Sequence, residues 1–368
     1  MNFYIPDPTP PTTIAPSLLN TADTEIDALL GAPSARASYN VDGAGLSVAV
    51  LDTGLRVTHK CFAGRVPEVR NFTTDDGGDP GLVTDRNGHG TNVAGLIAAG
   101  TSDERRGIAP GARVVPLKVL PAPTLEPIIN ALVWISENAT RLDISVANLS
   151  LGVPGVNLSD DAGVRAELPQ LAAILKELHA RRIAVVVAAG NDYKSFETEG
   201  MSMPAIFREV ISVGAVYDAS VGPRHYKSGA SAFSTHADQM TPFTQRLSKE
   251  ASPDCYTDVM SAGASATSAG AASDDATSVQ DGTSQAAPTV SGVVLLMQQF
   301  YKRLTGELPP VPLLQEVLRS TSTWIVDGDD EDDNVANTNR KFPRVNAYES
   351  LVALDKLVKL AAISQSSE

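Results

Sequence analysis

Residues 46–54 read LSVAVLDTG: five apolar residues with one serine among them, then an acid, a threonine and a glycine. Alternating polarity would give a strand with one wet face. A continuous run such as 46–51 suits a strand covered on both faces, as in a parallel sheet. Four further runs share this grammar, at 114–120, 144–149, 183–188 and 210–216. Between them lie helical patterns, clearest at 91–99, 125–138, 167–181 and 284–303. In the last, Ala286, Val290, Val293, Val294, Met297 and Tyr301 share one face, and Pro288 falls in the first turn, where proline is tolerated. Strand and helix in alternation predict an α/β fold: a doubly wound, mostly parallel sheet with helices on both faces. Helical segments at 311–320 and 345–360 close the chain.

The chain has 368 residues, 43% hydrophobic and 20% charged, which is apolar content enough for a large core. Its formal charge of -14 repels phosphate backbones, so nucleic acid is not an expected partner. Two cysteines, Cys61 and Cys255, lie far apart and exclude a disulfide scaffold or a multi-Cys metal site. Pro6, Pro8, Pro10, Pro11 and Pro16 break up the start, and no Lys or Arg precedes Arg36, so no secretory signal is expected. No apolar run approaches the roughly 20 residues of a membrane span. The expected organisation is a Pro-rich extension over 1–40 with a short helix at 24–30, one domain over 41–360, and a tail over 361–368, in the cytoplasm. Two polar stretches read as loops: 234–254, which has no periodicity, and 263–281, rich in Ala, Ser, Gly and Asp, which reads as flexible chain.

Three short segments carry the chemistry. Asp52 ends the first buried run, His89 in Asn87-Gly88-His89-Gly90-Thr91 opens a helix of small residues, and Ser284 in Gly282-Thr283-Ser284 opens the long apolar helix. Catalytic groups in open α/β sheets gather at the C-terminal ends of strands, where all three can meet. A serine hydroxyl needs an adjacent base to become a nucleophile. A neutral imidazole suits that task, and a buried carboxylate holds it in the right tautomer. Asn191, just past the 183–188 run, offers a side-chain amide to a developing oxyanion, and the Ser284 N–H at a helix start offers a second donor. Taken singly, Asp52 reads as a turn former, His89 as a core histidine and Ser284 as a helix cap. The catalytic reading rests on their conjunction.

These segments resemble the subtilisin (subtilase) family of serine peptidases, from about residue 41 to 360, with Gly107-Ile108-Ala109-Pro110 and Arg344-Val345-Asn346 also matching. The resemblance implies Asp52 as orienting acid, His89 as general base, Ser284 as nucleophile and Asn191 as oxyanion amide. It implies that a peptide adds as a strand beside Ser150, Leu151 and Gly152, with Ala188, Ala189 and Gly190 opposite. Within the family, the pattern 71–78 before Asn87-Gly88-His89-Gly90 is similar to the intracellular members, whose short N-terminal element blocks the cleft; Tyr4-Ile5-Pro6 matches that element in part. The expected activity is peptide-bond hydrolysis through an acyl-enzyme on a peptide or protein substrate. The alternative is a dedicated processing or transpeptidating protease with one partner.

The departures are specific. Asn92 stands where the family usually has histidine, and Pro121-Ala122-Pro123 replaces a Gly-rich edge segment, which removes ladder donors. No cofactor is expected for the chemistry. A structural calcium is common in the family, but Cys61 stands at a usual Asp ligand and the neighbouring loop 101–106 is short and holds Arg105 and Arg106, so that site reads as degraded. Asp75-Asp76-Gly77-Gly78-Asp79 reads as a solvated loop or a cation loop. The acidic stretch 327–339 fails the EF-hand pattern, with Asp332 in place of the glycine and Thr338 in place of the final glutamate.

Overall fold

Alternate residues of the quoted strand point into two separate cores. The computed structural model describes residues 12–13, 22–100 and 106–365; Tyr4-Ile5-Pro6 and residues 101–105 lie outside them. In chain order the strands are β1 (Thr12–Thr13), β2 (Ser47–Asp52), β3 (Arg70–Asn71), β4 (Arg113–Lys118), β5 (Ile144–Leu149), β6 (Ala184–Ala188), β7 (Ile211–Val216), β8 (Arg224–His225), β9 (Ser231–Ala232), β10 (Val259–Ala262), β11 (Ala266–Ala269), β12 (Thr277–Gln280), β13 (Thr323–Val326) and β14 (Lys341–Arg344). The helices are α1 (Ala22–Leu29), α2 (Ala32–Tyr39), α3 (His89–Ala98), α4 (Glu126–Leu142), α5 (Ala162–Glu167), α6 (Pro169–Ala180), α7 (Tyr193–Phe196), α8 (Thr283–Thr305), α9 (Val311–Ser320) and α10 (Ala347–Gln365).

Nine strands form the main sheet in the order β13-β14-β10-β7-β6-β5-β2-β4-β3, parallel throughout except where β13 pairs antiparallel with β14. Val48 and Val50 of β2 join the core beneath α3, α8 and α10, while Ala49 and Leu51 join the core beneath α4 and α6. That is why the strand runs show no alternation of apolar and polar residues: both faces are covered, and each buried aliphatic side chain is worth about 1.5–3 kcal/mol. The doubly wound α/β fold expected from the sequence is the fold observed.

Three local readings change. The helix expected over 167–181 begins at Pro169, because proline cannot donate to the preceding turn; a separate short helix, α5, ends at Glu167. The 263–281 stretch is not flexible chain. It holds the buried hairpin β11–β12, paired from Ala266↔Gln280 to Ala269↔Thr277. Its small residues are demanded by packing: α3 lies so close that a Cβ on Gly95 would sit 2.3 Å from Ser268 Oγ. Residues 26–40, read as part of the extension, contribute Ile26, Leu30, Ala32 and Ala35 to the main core. Further upstream, β1 pairs antiparallel with β12, Thr12 opposite Val279.

Candidate active site

β2 runs directly into the acid. Asp52 is its last residue and fully buried, and its Oδ1 lies 2.8 Å from Nδ1 of His89, the first residue of α3. The Thr53 N–H donates to the same oxygen at 2.7 Å. The close approach needs a glycine after the histidine: a Cβ on Gly90 would meet the Gly54 carbonyl oxygen at 2.2 Å and Asp52 Oδ1 at 3.2 Å.

Ser284 stands in the first turn of α8, and the starts of α3 and α8 are tied together. Gln280 Nε2 donates to the Gly88 carbonyl at 3.2 Å and Gln285 Nε2 to Asn92 Oδ1 at 3.4 Å. Asn92, the departure noted above, also donates to Ser278 on the hairpin, so it joins α3, β12 and α8. Ser284 Oγ donates to the Ser150 carbonyl at 3.1 Å, and Ser150 Oγ donates back to the Ser284 carbonyl at 2.7 Å.

Asn191 is 3% exposed and lies just past β6. Its Oδ1 accepts from Thr283 N–H and from Thr283 Oγ1, both at 2.9 Å. With Oδ1 so held, Nδ2 turns the other way. A Cβ placed on Gly282 would lie 3.2 Å from that Nδ2 and 3.5 Å from Ser284 N. Gln285 Oε1 is nearer still, at 3.0 Å, so only a glycine fits where Asn191 Nδ2, the Ser284 N–H and the Gln285 amide oxygen come together, at the positive end of the α8 dipole.

Residues 150–152 follow β5, and 188–190 are the last residue of β6 and the two after it; the pairing between these two strands ends at Leu149↔Val187. All six are buried. Ser202 joins the two walls: its N–H donates to the Ala189 carbonyl and its Oγ to the Val153 carbonyl, each at 2.8 Å. Sequence reasoning missed Gln245. Its N–H donates to the Gly190 carbonyl at 2.8 Å and its Nε2 to the Val156 carbonyl at 2.8 Å, so the 234–254 stretch backs the second wall. Nothing in the local pattern of that stretch signals the contact.

Where the sequence left room for a cation, the chain's own cations stand. Beside Cys61, the Arg65 guanidinium bonds the carbonyls of Cys61, Ala98 (2.7 Å) and Ala112 (2.9 Å). A guanidinium among those oxygens, and a thiol in place of a carboxylate, do not fit the calcium ion that the family resemblance implies there. At 75–79, the buried Lys118 ammonium lies 3.1 Å from Asp75 and 3.6 Å from Asp76, and donates to the Thr84 carbonyl at 2.6 Å. Burial alone would raise the Asp76 carboxyl, but bonds from Arg86 and Thr84 and the Lys118 charge hold it below its usual value. In 327–339, both oxygens of Asp327 are taken by Arg246 and Thr338. Among the described residues, Asp329, Asp330 and Glu331 bring carboxylate oxygens within 4.8 Å of one another, and burial pushes Glu331 up to about 7.

Comparison with known proteins gives the family. The model of the subtilase family matches residues 43–346. The major intracellular serine protease of Bacillus subtilis is 37% identical over 182 residues, 48% of this chain and 52% of that protein. The intracellular serine protease of Paenibacillus polymyxa is 37% identical over 180 residues, 47% of this chain and 50% of that protein. Serine protease AprX of Bacillus subtilis is 29% identical over 333 residues, 85% of this chain and 68% of that protein. The chain spans about half the length of the two intracellular relatives. With a family match over most of its length, the chain belongs to the subtilase family.

Proposed function

We propose that this chain is a serine endopeptidase that hydrolyses peptide bonds through an acyl-enzyme. The observation that carries the reading is the buried Asp52–His89 contact of 2.8 Å, with Asn191 Nδ2 and the Ser284 N–H brought together beside Gly282. Ser284 Oγ attacks the substrate carbonyl carbon as His89 Nε2 takes its proton. The carbonyl oxygen becomes an oxyanion, held by Asn191 and the Ser284 N–H. The C–N bond then breaks and His89 returns the proton to the leaving amine. Water repeats the sequence to free the acid. Asp52 keeps Nδ1 protonated and supports the imidazolium. The chemistry needs no cofactor.

Residues 150–152 and 188–190 serve in this reading as the walls against which an extended peptide pairs, so main-chain bonds supply affinity. The location is cytoplasmic, in keeping with the two intracellular relatives; no helix among the described residues is long and apolar enough to cross a membrane. The N-terminal segment restrains the enzyme: β1 pairs on β12, two residues before Gly282. A second reading, a dedicated processing or transpeptidating protease, draws on the Gln245 backing of Gly190 and on Pro121 and Pro123 at the cleft edge. The test is hydrolysis of casein and of a peptide set by the full chain and by Ser284→Ala. Loss of all turnover in a folded Ser284→Ala protein supports the assignment, and unchanged turnover refutes it. Broad cleavage of casein counts against the second reading.

A further inference from the structure

The loop ahead of α3 carries an acid that the mechanism above does not use. Asp85 is 8% exposed and has no ion-pair partner among the described residues. Five donors converge on it instead. Oδ1 accepts from Thr53 Oγ1 at 2.9 Å, Gly88 N at 2.8 Å and Asn87 N at 3.2 Å. Oδ2 accepts from Thr91 N at 2.8 Å and Thr91 Oγ1 at 2.6 Å. Such a set satisfies a buried charge without a counter-ion.

The donors come from two places only. Thr53 follows Asp52, and residues 87, 88 and 91 flank His89. The first turn of α3 has N–H groups with no partner inside the helix. Thr53 Oγ1 takes that of Gly90 at 2.9 Å, and Asp85 takes that of Thr91. One carboxylate therefore joins the strand end that bears the acid to the helix start that bears the histidine. Thr53 also governs charge. Its single hydroxyl proton lies within reach of both carboxylates, and Asp85 Oδ1 at 2.9 Å is the nearer acceptor than Asp52 Oδ1 at 3.2 Å, so Asp85 draws it away from Asp52. The Asp52 oxygen is left to the His89 Nδ1–H and the Thr53 N–H. The other charges around this loop are engaged elsewhere: Lys118 of β4 bonds the Thr84 carbonyl and pairs with Asp75, Arg86 pairs with Asp76, and Arg56, whose N–H donates to Thr91 Oγ1, pairs with Asp274.

We infer that Asp85 is a positioning residue for the reaction: it holds Asp52 and His89 in register and reserves the Asp52 charge for the imidazole. The inference rests on the peptidase reading of Asp52, His89 and Ser284. The test compares kcat, KM, the pH profile and thermal unfolding of the full chain with Asp85→Asn and Thr53→Val, on a chromogenic peptide. An amide cannot accept five donors, and when its NH2 faces Thr53 the hydroxyl is turned toward Asp52. Asp85→Asn is expected to lower kcat about 10²-fold, with KM within about twofold. The acid limb of kcat/KM moves to lower pH, because the imidazolium loses anionic support. Thr53→Val removes the hydroxyl but keeps the N–H bond to Asp52; it shows part of the same loss in kcat, with KM and the acid limb unmoved, because no hydroxyl is left to turn toward Asp52. Lower unfolding temperatures with kcat and the acid limb unmoved overturn the inference. If Asp85→Asn does not fold, Thr53→Val decides on kcat against KM: a folded variant with kcat unmoved overturns the inference. Failure of the peptidase reading itself looks different: the unsubstituted chain is then inactive, or is indifferent to Ser284→Ala.

Discussion

Asn191 does two jobs with one side chain, and two substitutions separate them. Its Oδ1 anchors Thr283 through two bonds of 2.9 Å, and its Nδ2 lies beside Gly282, near the Ser284 N–H. Asn191→Ala removes both functions. Asn191→Asp keeps an acceptor for Thr283 and removes only the donor. For Asn191→Ala, kcat is expected to fall about 10²–10³-fold, a range measured for this kind of donor in subtilisin itself. Asn191→Asp falls at least as far, since a carboxylate repels the oxyanion. KM changes little in both, because the interaction is made chiefly in the transition state. Stability divides the pair. Asn191→Ala leaves the buried Thr283 N–H and hydroxyl short of an acceptor, at a cost of about 2 kcal/mol, whereas Asn191→Asp keeps both bonds. The assay is steady-state hydrolysis of a chromogenic peptide, with urea unfolding followed by circular dichroism. An Asn191→Ala enzyme within about threefold of the parent kcat, or one whose KM alone rises, would refute the reasoning.

Four other expectations can be checked alongside it. Lys118→Met leaves Arg86 as the one cation paired with Asp75 and Asp76 among the described residues; the cost falls at the low end of the roughly 3–5 kcal/mol for breaking a buried pair, read as a lower urea midpoint. Asp161 is fully buried; burial opposes its ionisation, but bonds from Arg208 and Arg165 hold its carboxyl at about 2. A depressed carboxylate stabilises the fold above its ordinary value near 3.8, and that contribution is lost as pH falls toward about 2. Urea midpoints at a series of pH values should show about 2 kcal/mol between the parent and Asp161→Asn at neutral pH, vanishing in that acid window. Because Arg65 occupies the carbonyls beside Cys61, EDTA is expected to leave the thermal midpoint unmoved to within about 1 °C; a drop of several degrees would reveal a metal elsewhere in the fold. A chain starting at Thr21, and so lacking β1, is expected to hydrolyse peptides faster than the full chain; an equal rate would dismiss the restraint.

The strands were legible because both of their faces are buried, so Leu46–Leu51 and its counterparts show no alternation that a loop or an edge strand could imitate. Asp52, His89, Asn191 and Ser284 were legible because each sits at the end of such a strand or the start of a helix. The hairpin β11–β12 was not. Its Ala, Ser and Gly residues have the composition of a loop, and only the approach of Gly95 from α3 explains why they must be small. Arg65 and Lys118 were not legible for a related reason: each bonds carbonyls or carboxylates that lie more than 30 residues away in the chain. Asp85 carried a weak local signal, an acid shortly before a helix start, which marks a cap but not the link to Thr53.

The central claim is that Ser284 is an activated nucleophile. The measurement that tests it most directly is intact mass and peptide mapping after incubation of the full chain with a fluorophosphonate, with Ser284→Ala and His89→Ala as controls. The account predicts one adduct per chain, on Ser284, absent from Ser284→Ala and strongly slowed in His89→Ala. An unlabelled chain, both whole and begun at Thr21, or an adduct on another residue, would contradict it.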